Sequence, residues 1–166
     1  MLLRKLDPSF YLENSHLIEA LDNYNGNWGK GKTRGYGIAV VTMANLKFAI
    51  PLRSHINHNA AYITVKSQPH GHHGKGLDFT KALLLIDNKY VSSEVYKIPY
   101  DEKKKLASKS RYIIVKFEKY VEKYIYSVKT SDNNILTSNE YRYSTLVNYH
   151  KELKIQPTYS DVFLKN

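Results

Sequence analysis

The spacing of apolar residues changes halfway along this chain of 166 residues, and this change limits the folds that the chain can adopt. Between residues 36 and 86 the apolar residues fall in short runs separated by polar and turn-forming residues, which is typical of β-strands. Between residues 110 and 129 they recur every three or four residues, from Ile113 to Val128, and so line one face of a helix. A sheet-rich first half followed by a helical second half predicts a single α+β domain.

Turn and capping residues suggest where the elements of the first half begin and end. The Asp7-Pro8 pair is a helix-start signal after a short strand, and apolar residues at helical spacing follow it up to Leu21. Pro51 is expected to end a strand, to form a bulge or to lie at an edge, because proline cannot donate to a ladder. Ala44-Asn45 is a predicted turn between the first two of four further strands, at 36–43, 46–53, 61–66 and 79–86.

The second half is predicted to be mainly helical. Helices are expected from the region of Pro99 onward, over about 110–129, and over 145–153 with Ser144 as the N-cap. On the long helix a different face from the apolar one carries three lysines, Lys116, Lys119 and Lys123. The simplest interpretation of this lysine row is a solvated surface. The domain is expected to cover residues 1–155, with an extended C-terminal tail at 156–166.

Composition and charge restrict the partners and the sites that are possible. The chain has no cysteine, which excludes a disulfide scaffold, a thiol nucleophile and a cysteine-ligated metal. Its 25 Lys and Arg against 15 Asp and Glu leave a net charge of +10, which favours a polyanionic partner such as nucleic acid or an anionic membrane. No signal peptide is expected, because Arg4, Lys5 and Asp7 interrupt the first apolar stretch, and no apolar run approaches the ~18 residues of a membrane span.

The predicted sheet region is rich in cations and poor in carboxylates. Residues 23–93 contain nine Lys or Arg and five His, but only two carboxylates, Asp78 and Asp87. A two-metal nuclease holds its ions with several oxygen ligands, usually carboxylates, which this region cannot supply easily. Metal-independent RNA cleavage needs instead a base for the 2′-hydroxyl, an acid for the leaving 5′-oxygen and cations around the phosphate. The composition permits this second chemistry.

The densest group of such residues directly follows a predicted strand, in the segment RSHINH at 53–58. Arg53 could contact a phosphate with two hydrogen bonds, and Ser54 could bind a phosphate oxygen or the 2′-hydroxyl. His58 could act as acid or base, because imidazole titrates near neutral pH. A zinc site is the alternative: it would combine His55 and His58 with the histidines of a polar loop, His70, His72 and His73.

A glycine-rich basic loop precedes the first long strand and contains Lys30, Lys32 and Arg34. The segment GNWGKGKT at 26–33 has the spacing of a nucleotide-binding P-loop. A P-loop follows an apolar strand and opens a helix, whereas this segment precedes a strand. The loop is therefore interpreted as one that holds phosphates electrostatically.

Several segments together resemble the toxins of type III toxin–antitoxin systems, and in particular the TenpN-like branch of the ToxN/AbiQ/CptN family. They are the run GYGI at 35–38, LKFAIPLRSHINH at 46–58, KGLDFTKA at 75–82, FEKYVEKYI at 117–125 and EYRYSTLVNYHKEL at 140–153. The resemblance covers roughly residues 2–155. It implies a strongly twisted antiparallel β-sheet or partial barrel with flanking helices, similar to MazF/Kid-type toxins.

The resemblance also implies an activity and its partners. Such toxins are sequence-specific, metal-independent endoribonucleases that leave 2′,3′-cyclic phosphate and 5′-hydroxyl ends, without a cofactor. They process, and are inhibited by, a repeat RNA antitoxin folded as a pseudoknot, with which they form closed toxin–RNA hetero-oligomers. Their other substrates are cellular or phage RNAs, and they serve abortive infection in phage defence. The expected location is the bacterial cytoplasm, with no membrane partner.

The resemblance implies roles for individual residues. A basic residue before the first long strand corresponds to Lys32 or Arg34, and the pair after the PL of the second strand corresponds to Arg53-Ser54. The predicted catalytic residues are Arg53, Ser54, His58 and Lys32. The predicted RNA contacts are Lys30, Arg34, Tyr36, Lys66, Lys75 and Lys81, and no metal ligand is predicted. A non-catalytic RNA-binding module is one alternative, since the same charge and tyrosine content would serve it. A basic membrane-surface protein is another, since the long helix has an apolar face.

Overall fold

The computed structural model describes residues 1–20, 36–67 and 74–156, together with the backbone of the strand residues 23–24 and 27–28. Within these residues the chain is an α+β protein with an antiparallel sheet of seven strands and four α-helices. The strands are β1 (Leu3–Leu6), β2 (Asn23–Tyr24), β3 (Asn27–Trp28), β4 (Gly37–Met43), β5 (Leu46–Ile56), β6 (Ala61–Lys66), β7 (Gly74–Asp78), β8 (Leu83–Leu84) and β9 (Val91–Val95). The helices are α1 (Ser9–Glu13), α2 (Tyr100–Ser108), α3 (Ser110–Lys129) and α4 (Asn133–Leu136).

The large sheet is open and has the strand order β6-β7-β5-β4-β1-β9. The short strand β8 also pairs with β5, while β2 and β3 form a separate two-stranded sheet. Both faces of the central strands are buried, and the buried side chains of β4, β5 and α3 belong to one apolar core. This arrangement confirms the predicted α+β class.

The β4–β5 hairpin confirms the predicted turn and shows how a strand accommodates Pro51. Ala44 and Asn45 both adopt positive φ, at 47° and 65°, as a tight two-residue hairpin turn requires. The second strand is longer than predicted and continues through Pro51 to Ile56. Upstream of Pro51 the strand pairs with β8 and downstream of it with β7. Pro51, which has no N–H, is tolerated because the partner strand changes from β8 to β7 at this position.

The long helix forms where its apolar period predicts it, and the same period explains its packing. Ile113, Phe117 and Val121 of α3 are fully buried. The ring of Phe117 lies edge-on to that of Phe48 on β5, with 5.3 Å between the ring centroids. Helix α3 therefore covers the sheet with the stripe seen in the sequence. The lysine row lies off this stripe, as predicted.

Other elements differ from the prediction because tertiary contacts replaced a local preference. The first helix ends at Glu13, and although Leu17 is buried, Ile18 is exposed. The predicted strand at 79–86 is instead a 3₁₀ turn, Phe79–Lys81, followed by the two residues of β8. A 3₁₀ helix, Thr145–Tyr149, replaces most of the last predicted helix, with Ser144 as its N-cap. The residues predicted as a tail lie outside the described residues from 157 onward, as do His70, His72 and His73.

Gly76 is required by the close approach of β6 to β7. A Cβ atom at this position would collide with the carbonyl oxygen of Tyr62 and would lie 2.9 Å from the Cα of Ile63. We therefore expect Gly76→Ala to lower the free energy of unfolding by about 2 kcal/mol or more, as in other overpacked sites. Chemical denaturation measures the loss, and Thr42→Ala on the exposed side of β4 is the control. Equal stabilities of the two variants would contradict the close approach.

Candidate functional site

The candidate site is formed where β5 leaves its regular pairing with β7. Arg53 is opposite Gly76, but the register shifts before the next pair, Ile56 with Gly74. Within this irregular stretch His55 has a φ of 58°, in the left-handed region. Bulges of this kind redirect side chains at the ends of strands and are common beside functional sites. Ser54, which is half-buried, lies in the same stretch.

A fully buried carboxylate, Asp78, lies at the centre of the site. It is the last residue of β7, and its Oδ2 accepts a hydrogen bond of 2.8 Å from Nη1 of Arg53. Its Oδ1 accepts from the backbone N–H of Thr80 at 2.9 Å and from the Thr80 hydroxyl at 2.7 Å. Asp78 thus caps the following 3₁₀ turn and also neutralises a guanidinium.

His58 completes the group, which we call the Asp78 cluster: Arg53, His58, Asp78 and Thr80. Its Nε2 lies 3.4 Å from Oδ1 of Asp78, and only 9% of its side chain is exposed. Within the described part of the chain, neither ring nitrogen makes a hydrogen bond of good geometry, although both are buried. Buried polar atoms normally have partners, so an imidazole left in this condition is a candidate for contact with a ligand.

The charge balance of the cluster determines the ionisation of Asp78. Burial by itself raises the pKa of this carboxyl group. The nearby imidazole of His58, the hydrogen bond from the Thr80 hydroxyl and the charge of Arg53 together outweigh burial and hold the pKa below its ordinary value. Asp78 is therefore ionised at neutral pH. Arg53 is 34% exposed, so it can contact solvent or an anion while Asp78 fixes its orientation.

The structure brings some of the predicted RNA contacts close to this site. Lys66 and Lys75 are both exposed and lie at the same end of the β6–β7 hairpin. Gly74 pairs with Lys66 on one side and with Ile56 on the other, so this end of the hairpin adjoins the bulge in β5. Two exposed cations therefore lie beside the end of the strand that carries Arg53.

Other predicted contacts have internal partners or lie outside the described residues. The Lys81 ammonium donates to the carbonyl oxygens of Glu19 and Tyr143, each at 2.8 Å, and burial lowers its pKa. Tyr36 packs edge-on against Tyr11, with 6.3 Å between the ring centroids. The basic loop that contains the predicted catalytic Lys32 and the predicted contacts Lys30 and Arg34 lies outside the described residues.

Sequence reasoning missed Asp78 and Thr80 as members of the site. Asp78 was recognisable only as one of two carboxylates in a basic region. A further signal was present in the segment Asp78-Phe79-Thr80, because an aspartate two residues before a threonine commonly caps a turn. That signal predicts the turn, but it does not predict which guanidinium or imidazole meets the carboxylate.

Two further properties concern metals and membranes. Among the residues that the structure describes, no three His, Asp or Glu side chains are grouped so that they could hold a metal ion. No helix in the same part of the chain is long and apolar enough to cross a bilayer.

Comparison with known proteins finds no family model, no curated protein and no solved structure that matches this chain significantly. The functional interpretation therefore depends on the geometry of the site and on the motifs in the sequence.

Proposed function

We propose that this chain is a sequence-specific, metal-independent endoribonuclease, the toxin of a type III toxin–antitoxin system. The observation that carries the proposal is the Asp78 cluster at a strand end that also bears Ser54. A guanidinium and an imidazole are there held beside a buried carboxylate, and Ser54 directly follows Arg53 in the chain. Both oxygens of Asp78 already accept hydrogen bonds from protein donors, which fixes the position of the carboxylate.

These groups match the requirements of RNA cleavage by the neighbouring 2′-hydroxyl. The 2′-oxygen forms a bond to phosphorus while the bond from phosphorus to the 5′-oxygen breaks. A base accepts the 2′-hydroxyl proton, and an acid returns a proton to the 5′-oxygen, which gives 2′,3′-cyclic phosphate and 5′-hydroxyl ends. In the proposed mechanism Arg53 offsets the charge that grows on the phosphate, Ser54 donates a hydrogen bond to it, and His58 transfers a proton.

Asp78 has a supporting role in this mechanism. A carboxylate beside an imidazole stabilises the charged imidazolium that forms when the ring accepts a proton. It also holds Arg53 in one orientation through the 2.8 Å hydrogen bond. Because both nitrogens of His58 are buried, the ring must become accessible to the substrate before it can transfer a proton. The exposed His55, three residues earlier, is the comparison residue for this assignment.

The partners and the finer fold belong to the same proposal. The net charge of +10 suits a repeat RNA antitoxin that inhibits the toxin in a closed toxin–RNA assembly, as well as cellular or phage RNA substrates. The proposed setting is the bacterial cytoplasm during abortive infection. We propose that the open antiparallel sheet corresponds to the twisted partial barrel of MazF/Kid-type toxins.

A non-catalytic RNA-binding module is the second candidate, and the burial of His58 favours it. An imidazole whose nitrogens are closed off from solvent is well placed to stabilise Asp78 and poorly placed to meet a substrate. In that case Arg53, Lys66 and Lys75 would bind phosphates without cleaving RNA.

The deciding experiment is cleavage of mixed-sequence single-stranded RNA in excess chelator, with analysis of the new ends. We expect cyclic phosphate and 5′-hydroxyl ends from the native chain. Ser54→Ala should cleave about 10²–10³-fold more slowly because a hydrogen bond to the developing charge is lost. It should also relieve growth arrest on expression while RNA affinity changes little. Ser93→Ala, an exposed serine on β9, is the control.

Three outcomes would contradict parts of this proposal. Cleavage only with added divalent cation would contradict the mechanism. Full activity and toxicity of Ser54→Ala would show that the site is elsewhere. Tight, salt-dependent RNA binding without cleavage under any condition would favour the binding module.

A further inference from the structure

The lysine row of α3 borders a groove that the Asp78 cluster does not use. We call it the α3 groove; its volume is about 320 Å³ and it is open to solvent. One rim is formed by Lys116, Lys119 and Lys123, and the opposite wall includes Ser138, Glu140 and Tyr141. Spacings of three and four residues place the three lysines on one side of the helix. The sequence alone predicts that this lysine row is a solvated surface. In the structure the row lines a concave surface.

The charge at this rim is predominantly positive and largely uncompensated. Among the described residues, none of the three lysines forms an ion pair with a carboxylate, and Glu140 is the one acidic residue among those that line the groove. The Lys116 ammonium donates to the carbonyl oxygen of Ala61 at 2.7 Å, and burial lowers its pKa. Lys119 and Lys123 are exposed, so their ammonium groups are available to an anion.

The groove also has a rigid aromatic wall. The rings of Tyr120 and Tyr141 stack at 4.7 Å with an angle of 6° between their planes. The Tyr120 hydroxyl donates to the carbonyl oxygen of Glu140, and the Tyr141 hydroxyl donates to the carbonyl oxygen of Tyr120. Both hydroxyls are engaged, and only 6% of Tyr120 and 7% of Tyr141 is exposed, so the two rings present a small, mainly apolar area to the groove. Apolar ring surface next to ammonium groups suits a base joined to a phosphate.

The groove is continuous with the candidate site along two chain segments. Asn59 and Ala60 line the groove and directly follow His58. Phe79 lines it as well and directly follows Asp78. The Phe79 N–H donates to the carbonyl oxygen of Ala60 at 3.0 Å, which joins the two segments. The α3 groove therefore lies next to the Asp78 cluster, one residue along the chain from His58 and from Asp78.

We propose that the α3 groove is a subsite for one nucleotide of single-stranded RNA, next to the nucleotides that flank the cleaved bond. This inference rests on the proposed function, because it places the cleaved bond at the Asp78 cluster. A volume of about 320 Å³ lies at the lower end of the ~300–1,000 Å³ range of small-molecule sites and is too small for a duplex. A base can pack against the wall only when it is unpaired.

The test measures binding, so that it does not depend on cleavage. The probe is a fluorescent, single-stranded RNA hexamer of mixed sequence with a 2′-O-methyl group at every position, which blocks attack by the 2′-oxygen. The double variant Lys119→Gln/Lys123→Gln is compared with Lys104→Gln/Lys109→Gln, which removes two exposed lysines elsewhere and changes the net charge equally. Fluorescence anisotropy gives the affinity at several salt concentrations.

We expect the groove variant to bind at least about tenfold more weakly than the control at ~0.1 M salt. Its log–log salt slope should fall by about 1.4, since the phosphates on the 5′ and 3′ sides of the bound nucleotide would each lose a contact that contributes about 0.7. Equal weakening in the two double variants would overturn the subsite. Equal affinity for a duplex or for an acidic hexapeptide of the same charge would overturn it too. Failure of the native chain to cleave RNA is a separate result, which would refute the nuclease while leaving this binding test intact.

Discussion

Replacing Asp78 with asparagine should lower the free energy of unfolding by about 3 kcal/mol, near the lower end of the range for loss of one partner from a buried ion pair. The variant leaves Arg53 without its counter-ion and His58 beside a neutral amide. We expect a loss of unfolding free energy at the lower end of this range because Arg53 is partly exposed, so water can solvate its guanidinium once the carboxylate is gone. Chemical denaturation followed by circular dichroism measures the change, and the denaturant slope should stay the same.

Asp87 provides a matched control for this prediction. Both aspartates cap a 3₁₀ turn and accept a hydrogen bond of 2.9 Å from the N–H two residues later. Asp87 is exposed and forms no ion pair among the described residues. Because asparagine caps nearly as well as aspartate, Asp87→Asn should change the stability by less than about 0.5 kcal/mol. Equal losses in the two variants would show that capping, rather than the buried charges, accounts for the effect.

The stabilisation by Asp78 should also depend on pH in a specific direction. Its pKa is lower in the folded protein than the ordinary value of 3.8. A carboxyl group of this kind stabilises the fold above the pKa of the unfolded state, and the stabilisation is lost as the pH falls through the folded-state pKa. The difference in stability between the native chain and Asp78→Asn should therefore shrink below pH 3.8. A difference that grows on acidification would contradict an ionised Asp78.

Replacing His58 with glutamine should slow RNA cleavage by about 10²–10⁴-fold, which is the usual contribution of a positioned acid or base. Glutamine keeps a polar side chain of similar size beside Asp78 but cannot carry a proton between substrate atoms. The affinity for RNA should change little, because Arg53 and the exposed lysines remain. Single-turnover cleavage rates and the pH–rate profile, which should lose one limb in the variant, provide the measurement.

His55→Gln is the comparison that separates the two histidines of the segment. His55 is exposed, whereas the side chain of His58 is nine-tenths buried against Asp78. If His58 transfers the proton, His55→Gln should cleave within about threefold of the native rate. Loss of cleavage in His55→Gln with retention in His58→Gln would make His55 the proton carrier. It would also leave His58 as a structural partner of Asp78. Thermal unfolding of both variants confirms that they are folded at the assay temperature.

Patterns between neighbouring residues were enough to predict the strands at 36–43 and 61–66, the turn at Ala44-Asn45 and the long helix. Each is indicated by side-chain periodicity or by turn-forming residues within a few positions of the chain. The segment at 79–86 was mispredicted because its apolar run reads as one strand. In the structure Asp78 caps a 3₁₀ turn there, and Leu83–Leu84 pairs briefly with β5.

The sequence by itself determined the fold class, the excess of cations over carboxylates and the presence of Arg53, Ser54 and His58 at a strand end. Only the tertiary structure brought Asp78 to Arg53, 25 residues away in the chain, and turned the lysine row of α3 toward a groove. The register of β5 against β7 decides the contact between Arg53 and Asp78, and the packing of α3 on the sheet decides which residues face the groove. Such pairing depends on which faces the whole core buries, so the residues of one segment cannot specify it alone.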